Sequence, residues 1–232
     1  MNKSRILLAL VVGAAVVPCA HADWTFSSST MNGDYGPTKT FLDTLSVGIA
    51  ASGWDVQSGD GLPTGTLPST WQVGNATAHH LYGKWTGVPA EDGLGLTNGG
   101  DGEISKTQYI QLDMQAAMTA YNTKNFTFDF SSLQTGEGFS LWASNNATDS
   151  LANPFTLLAD GFAGGTDIAS ASINMANYRY IEVSAYGSAA ADTLVMSVMH
   201  NNPPSPTPEP VTVGLGIAGI AIAVRRRMKA RA

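Results

Sequence analysis

The sequence predicts an all-β fold, an antiparallel β-sandwich of jelly-roll type, preceded by a signal peptide and followed by a short transmembrane helix. Three observations carry this prediction. The 232 residues include 25 glycines and abundant Ser, Thr and Asn, which favour turns and strand edges over helix interiors. Short apolar and aromatic runs, separated by Gly, Asn, Asp and Pro clusters, recur through residues 23–201, as expected of a sandwich. Only MQAAMTAY, residues 114–121, has local helical preference, and it is short. With 44% hydrophobic and 13% charged residues and no visible internal repeat, one domain over residues 23–201 is expected.

The N-terminus, MNKSRILLALVVGAAVVPCAHA, has a basic start at Lys3 and Arg5, an apolar stretch over residues 6–17, and Ala20 and Ala22 spaced for signal peptidase. Residues 1–22 are therefore read as a signal peptide, cut between Ala22 and Asp23. Acylation at Cys19 is disfavoured because Pro18 stands where a small residue is expected. Loss of Cys19 with the signal leaves no cysteine, so packing or bound ions must replace the disulfides common in exported proteins.

Strand candidates follow in order: LSVGIAAS, ATAHHLYGKW, YIQLDM, NFTFDFSS, GFSLWAS and FTLLAD. The clearest is NFTFDFSS, in which Phe126, Phe128 and Phe130 alternate with Thr127 and Asp129 and so share one face, most simply the core. GFSLWAS alternates Phe139, Leu141 and Ala143 with Ser140, Trp142 and Ser144. It follows a turn containing Gly136 and Gly138, which predicts a hairpin with NFTFDFSS. YRYIEVSAY and DTLVMSVMH, joined through GSAAA, are predicted to pair antiparallel.

The net charge of −6 conceals an asymmetry. Between the basic termini only Lys39, Lys84, Lys106, Lys124 and Arg179 stand against all 18 acidic residues, which leaves −13. A surface of that sign repels phosphate backbones, so nucleic acid is excluded as a partner of this region, whereas cations and neutral polymers are compatible with it.

Chemistry-bearing motifs are sparse. Glu91, Asp92, Asp101 and Glu103 place four carboxylates around two glycine-rich turns, with Asn98 nearby. Oxygen ligands on such loops suit Ca²⁺, the one cofactor the residues offer, although the EF-hand pattern is absent and a solvated turn is the alternative. Of four histidines, His21 leaves with the signal, and His79, His80 and His200 lie in or at strands. No H-E-x-x-H or G-x-S-x-G occurs, so no catalytic residue is assigned and an enzyme is not expected. Glycosidase carboxylate pairs come from distant positions and have no local motif, which keeps a hydrolase as the third reading. Five tryptophans raise carbohydrate binding, since indole faces stack on sugars. Trp142, predicted to point outward, is the candidate contact.

Residues 202–210, NPPSPTPEP, read as a polyproline-type spacer. The apolar run 211–224 has 14 residues, about 21 Å as a helix against a hydrocarbon core of about 30 Å, which suits a weak or temporary anchor. Arg225, Arg226 and Arg227 begin a basic tail, 225–232, that should remain cytoplasmic and so place the acidic domain outside. Gly214, Gly216 and Gly219 spell a dinucleotide-binding fingerprint, but too few residues follow for a βαβ unit.

Pro208-Glu209-Pro210, then a short apolar helix, then an arginine cluster resembles the PEP-CTERM sorting signal of Gram-negative bacteria. The resemblance implies that Pro208, Glu209 and Pro210 are recognised by an exosortase that removes the tail, and that the chain passes from an inner-membrane-tethered form to the cell surface or extracellular matrix. Residues 81–113 also resemble a pattern of PEP-CTERM ectodomains, carried here by Leu81, Tyr82, Lys84, Glu91, GLGL at 93–96, Glu103, Ile104 and IQLD at 110–113. The expected role is structural or adhesive in an exopolysaccharide or biofilm setting, with signal peptidase, exosortase, membrane and exopolysaccharide as partners. A carbohydrate-binding module, with or without calcium, is the alternative.

Overall fold

Alternating side chains and closely spaced turn residues produce sixteen strands and one short α-helix among the described residues. The computed structural model describes residues 22–26, 29–57, 60–63, 65–74, 76–97, 102–147, 154–163, 167–187 and 193–202. The early strands are β1 Asp23–Thr25, β2 Gly33–Gly36, β3 Thr38–Leu42, β4 Gly48–Val56, β5 Thr70–Trp71, β6 Ala76–His79, β7 Leu81–Lys84 and β8 Gly93–Leu96. Then come β9 Ile104–Ser105, β10 Gln108–Asp113, the helix α1 Gln115–Tyr121, β11 Asn125–Ser131, β12 Glu137–Ser144, β13 Phe155–Phe162, β14 Ile168–Asn174, β15 Tyr180–Gly187 and β16 Thr193–Asn201.

The strands form two antiparallel sheets, the expected sandwich. The first runs β14-β11-β16-β8-β7-β2, with β1 and β9 also paired to β16. The second runs β3-β4-β10-β15-β12-β13-β5, with β6 on β4. Phe126, Phe128 and Phe130 all point into the core between the sheets, as their alternation requires, and meet Leu141, Ile110, Val183 and their neighbours from the second sheet. Phe130 stacks on Phe139 across the sandwich, with centroids 4.6 Å apart.

Two pairings differ from the sequence expectation. β11 and β12 do not form a hairpin; they lie in opposite sheets. At the end of β11 the chain is diverted by bonds to an earlier turn. Ser131 Oγ donates to the Asp92 carbonyl (3.0 Å), the Ser132 N–H donates to that of Ala90 (2.7 Å), and Leu133 is buried in the core. Nor does β15 pair with β16. β15 has both edges occupied, by β10 and β12, while β16 is flanked by β11 on one side and by β1, β8 and β9 in succession on the other. ATAHHLYGKW likewise divides at His80 into β6 and β7, one in each sheet.

MQAAMTAY does form helix. The Asp113 carboxylate accepts the Gln115 N–H (3.1 Å) at its start, and Asn122, with φ +46°, ends it in the left-handed conformation that asparagine tolerates.

The centre of the second sheet, at β10, β12 and β15, is covered on both faces. Its outer face carries Tyr109, Trp142 and Tyr186, which are roofed by Leu62, Trp71 and Phe155 in a smaller apolar cluster. All described side chains of β12 and β15 are consequently buried. A strand covered on both sides must satisfy its polar groups internally. Ser184 Oγ donates to the Gln108 carbonyl (2.7 Å), and Trp142 Nε1 donates to Ser140 Oγ (2.9 Å).

Among the described residues no helix is long and apolar enough to cross a membrane. Residues 1–21 of the predicted signal peptide 1–22, residues 203–210 of the spacer with Pro208, Glu209 and Pro210, the apolar run 211–224 and the tail 225–232 with Arg225, Arg226 and Arg227 lie outside the described residues.

Candidate functional site

The LYGK-to-EI segment forms a buried ionic knot. Lys84, at the end of β7, points inward. Its ammonium donates to Glu91 Oε2 (3.2 Å), to Ser132 Oγ (3.3 Å) and to Glu103. Ser132 Oγ in turn lies 2.9 Å from Glu91 Oε2 and also contacts Glu103. Lys84 is 9% exposed and Glu103 5%, so the pair is shielded, whereas Glu91 reaches the surface. Burial by itself would lower the Lys84 pKa, but the hydrogen bonds and charges of Glu103 and Glu91 outweigh it and raise the value. The ammonium stays charged, and the positive charge between these two carboxylates is supplied by the chain itself.

The remaining parts of the segment have structural roles. Asp92 turns away from the knot and accepts from the Thr86 N–H (2.5 Å) and Thr86 Oγ1 (2.8 Å), closing the 86–91 turn. In GLGL, Leu94 and Leu96 are core residues. A Cβ on Gly93 would lie 2.6 Å from the Met196 carbonyl oxygen, and one on Gly95 would lie 2.0 Å from that of Gly102. Only glycine permits this approach of backbones. Of the four carboxylates predicted to cluster, Glu91 and Glu103 come together, Asp92 does not join them, and Asp101 lies outside the described residues. Among the described residues no group of three His, Cys, Asp or Glu could hold a metal ion. Glu91 and Glu103 share Lys84 Nζ and Ser132 Oγ as partners, and these two groups occupy the space that a sugar or water would need between a glycosidase pair.

Trp142 requires a correction. It lies on the opposite sheet face from Leu141, as alternation demands, but that face is not open. Trp142 is 0% exposed, with Trp71 packed on it at 5.5 Å, so its ring cannot stack on a sugar. Trp24 and Trp71 are also buried, and only Trp85 stands exposed.

The three described histidines lie against carboxylates. His79 Nδ1 lies 2.7 Å from Asp55, and His80 lies 2.9 Å from Asp34. His200 bridges two strands, with Nδ1 2.7 Å from Asp23 Oδ1 and Nε2 2.8 Å from Asp129 Oδ2. Asp23, the residue predicted to follow the signal cleavage, is thus clasped from β16. Ala22 is described as well and exchanges bonds with Asn201, its N–H donating to Asn201 Oδ1 (2.8 Å).

Two features escaped sequence reasoning. One is Glu182 on β15, fully buried on the outer face of the second sheet. Its Oε1 accepts from Gln111 Nε2 (2.9 Å) and Ser144 Oγ (2.6 Å), while Oε2 has no hydrogen-bond partner. Burial pushes its carboxyl up to about 8, against the opposing pull of the Ser144 and Gln111 bonds. Its position in YIEVSAY between apolar residues was the only signal. The other is a cleft of about 360 Å³ at the α1 end, lined among others by Gln115, Thr119, Lys124, Asn145 and Arg179. Its residues come from separate elements and leave no local motif.

No family model matches the sequence. No curated protein matches it either. Among solved structures it is similar to the K2 cleaved adhesin domain of Lys-gingipain, with 14% identity, a TM-score of 0.38, and coverage of 79% of this chain and 100% of that one. A likeness that distant carries no argument about activity.

Proposed function

We propose that this chain is an exported protein of the cell surface or extracellular matrix, structural or adhesive, sorted through its C-terminal segment. The observation that carries the reading is the order of Pro208-Glu209-Pro210, apolar residues 211–224 and Arg225-Arg226-Arg227, together with a signal-type sequence at the other terminus whose expected cleavage point is between Ala22 and Asp23. In this scheme signal peptidase releases the N-terminus, and the short apolar run tethers the domain to the inner membrane. An exosortase then acts at the Pro-Glu-Pro motif, and the β-sandwich passes to an exopolysaccharide-containing matrix. The acidic domain and its lack of cysteine after cleavage are compatible with that setting.

Mass spectrometry of the mature C-terminus, in protein recovered from the surface fraction of the native host, tests this reading. Termination close to Pro210 is expected, and an intact Ala232 in surface protein would overturn it. Carbohydrate binding is the second reading. It no longer rests on Trp142 but on the polar cleft beside α1, whose amide and hydroxyl side chains suit a ligand rich in hydroxyl groups.

A further inference from the structure

We propose that the cleft beside α1 binds an acidic oligosaccharide, with a uronate-type carboxylate held between Lys124 and Arg179. The inference rests on the carbohydrate-binding reading and adds the charge class of the ligand.

Of the five basic residues available to this acidic region, Lys84 is consumed in the ionic knot and Lys39 lies over the Tyr35 ring, 3.3 Å from its centroid. Lys124 and Arg179 come from opposite parts of the chain, yet they line the same cleft and are both exposed. Lys124 Nζ donates to the Ala176 carbonyl (2.7 Å), which anchors the side chain and leaves two ammonium hydrogens for a ligand. Among the described residues no carboxylate pairs with Lys124. Arg179 is held by Asp113 in a two-point contact, Nε to Oδ1 (3.0 Å) and Nη2 to Oδ2 (2.5 Å). That contact uses one edge of the guanidinium, fixes its plane and leaves the opposite N–H groups available. Asp113 cancels one charge, so the two cations leave a net positive site in a negative domain.

The rest of the lining selects the ligand class. Gln115 and Asn177 offer amide groups, while the Asn145 amide is held by the Arg179 N–H and the Asn177 carbonyl and the Thr119 hydroxyl by Gln115, which fixes the cleft wall; Met118 supplies an apolar contact for the C–H face of a sugar ring. The volume of about 360 Å³ lies within the range of small-ligand clefts. A second cleft of about 600 Å³, lined also by Asp113, shares Gln115, Thr119 and Arg179 with the first.

The test is calorimetric titration of the full-length chain with tetragalacturonate, with cellotetraose as a neutral sugar and tetraglutamate as an acidic peptide. Tetragalacturonate should bind, more weakly at high salt, and cellotetraose at least tenfold more weakly. Lys124→Gln should lose about tenfold in affinity for tetragalacturonate, the effect of one charge-assisted hydrogen bond. Arg179→Gln should weaken it too. Because Arg179 also holds Asp113, Lys124→Gln is the decisive variant, with its melting temperature as the check on folding. Absence of binding by either sugar overturns both the inference and the carbohydrate reading. Equal binding of cellotetraose overturns the inference alone. Equal binding of tetraglutamate replaces the saccharide by an acidic peptide, and wild-type affinity in Lys124→Gln removes the site from this cleft.

Discussion

Replacing Glu182 by Gln should remove a pH dependence that its burial creates. The carboxyl ordinarily titrates near 4.5, and in the folded protein burial raises it to about 8 despite bonds from Ser144 and Gln111. Between those values the folded state holds a proton that the unfolded chain has released. Stability therefore falls as pH rises from about 4.5 to about 8 and is flat above. At about 1.4 kcal/mol per pH unit, the interval corresponds to on the order of 5 kcal/mol, a large part of the 5–15 kcal/mol typical of a domain. Glu182→Gln keeps an acceptor for Gln111 and Ser144 and has no proton to lose. Urea unfolding of both full-length proteins from pH 4.5 to 9.5 at fixed ionic strength isolates the effect, because the other titrations cancel in the difference. The variant should be within about 2 kcal/mol of wild type at pH 4.5 and more stable by several kcal/mol at pH 9. Two stability curves that run parallel across this range would refute the assignment of a neutral buried carboxyl.

Three further outcomes follow from the same geometry. Lys84→Met leaves Glu91 and the buried Glu103 without their cation and should cost about 3–5 kcal/mol in chemical unfolding, and Glu103→Gln in the same background should recover part of it. Gly95→Ala drives a methyl to 2.0 Å from the Gly102 carbonyl, so a loss of about 1–3 kcal/mol is expected, read as a lower melting temperature, and an unchanged value would contradict the close approach. For His200, burial lowers the pKa, but the hydrogen bonds of Asp23 and Asp129 more than offset it and raise the value above 6.5. The stabilisation is full below about 6.5 and is lost as pH rises through the elevated folded value. His200→Gln should flatten that part of the profile, measured by hydrogen exchange of the β1 amides.

Much of the core was legible because alternation reports sidedness. Phe126, Phe128 and Phe130 alternate with polar residues, and all three are buried between the sheets. Alternation does not report what covers a face, which is why Trp142 was expected at the surface and is found beneath Trp71. Pairing was less legible still. Gly136 and Gly138 mark a turn, but whether a chain folds back or crosses to the other sheet depends on remote partners, here the 86–92 turn that captures Ser131 and Ser132. The carboxylates around 91–103 stood out by proximity in sequence. Their cation comes from Lys84, and the hydroxyl that completes the knot comes from Ser132, 41 residues beyond Glu91.

From the sequence alone come the β class, the inward face of the β11 strand, the acidic balance of the domain and the expected address at its two ends, because these depend on residue type, period and order. Tertiary structure alone decided which strands share a sheet, that Glu91 and Glu103 meet an ammonium, that Glu182 is sealed from water, and that Lys124 and Arg179 face one cleft. Those outcomes depend on distances between residues far apart in the chain, and on desolvation, which exists only once the layers have closed.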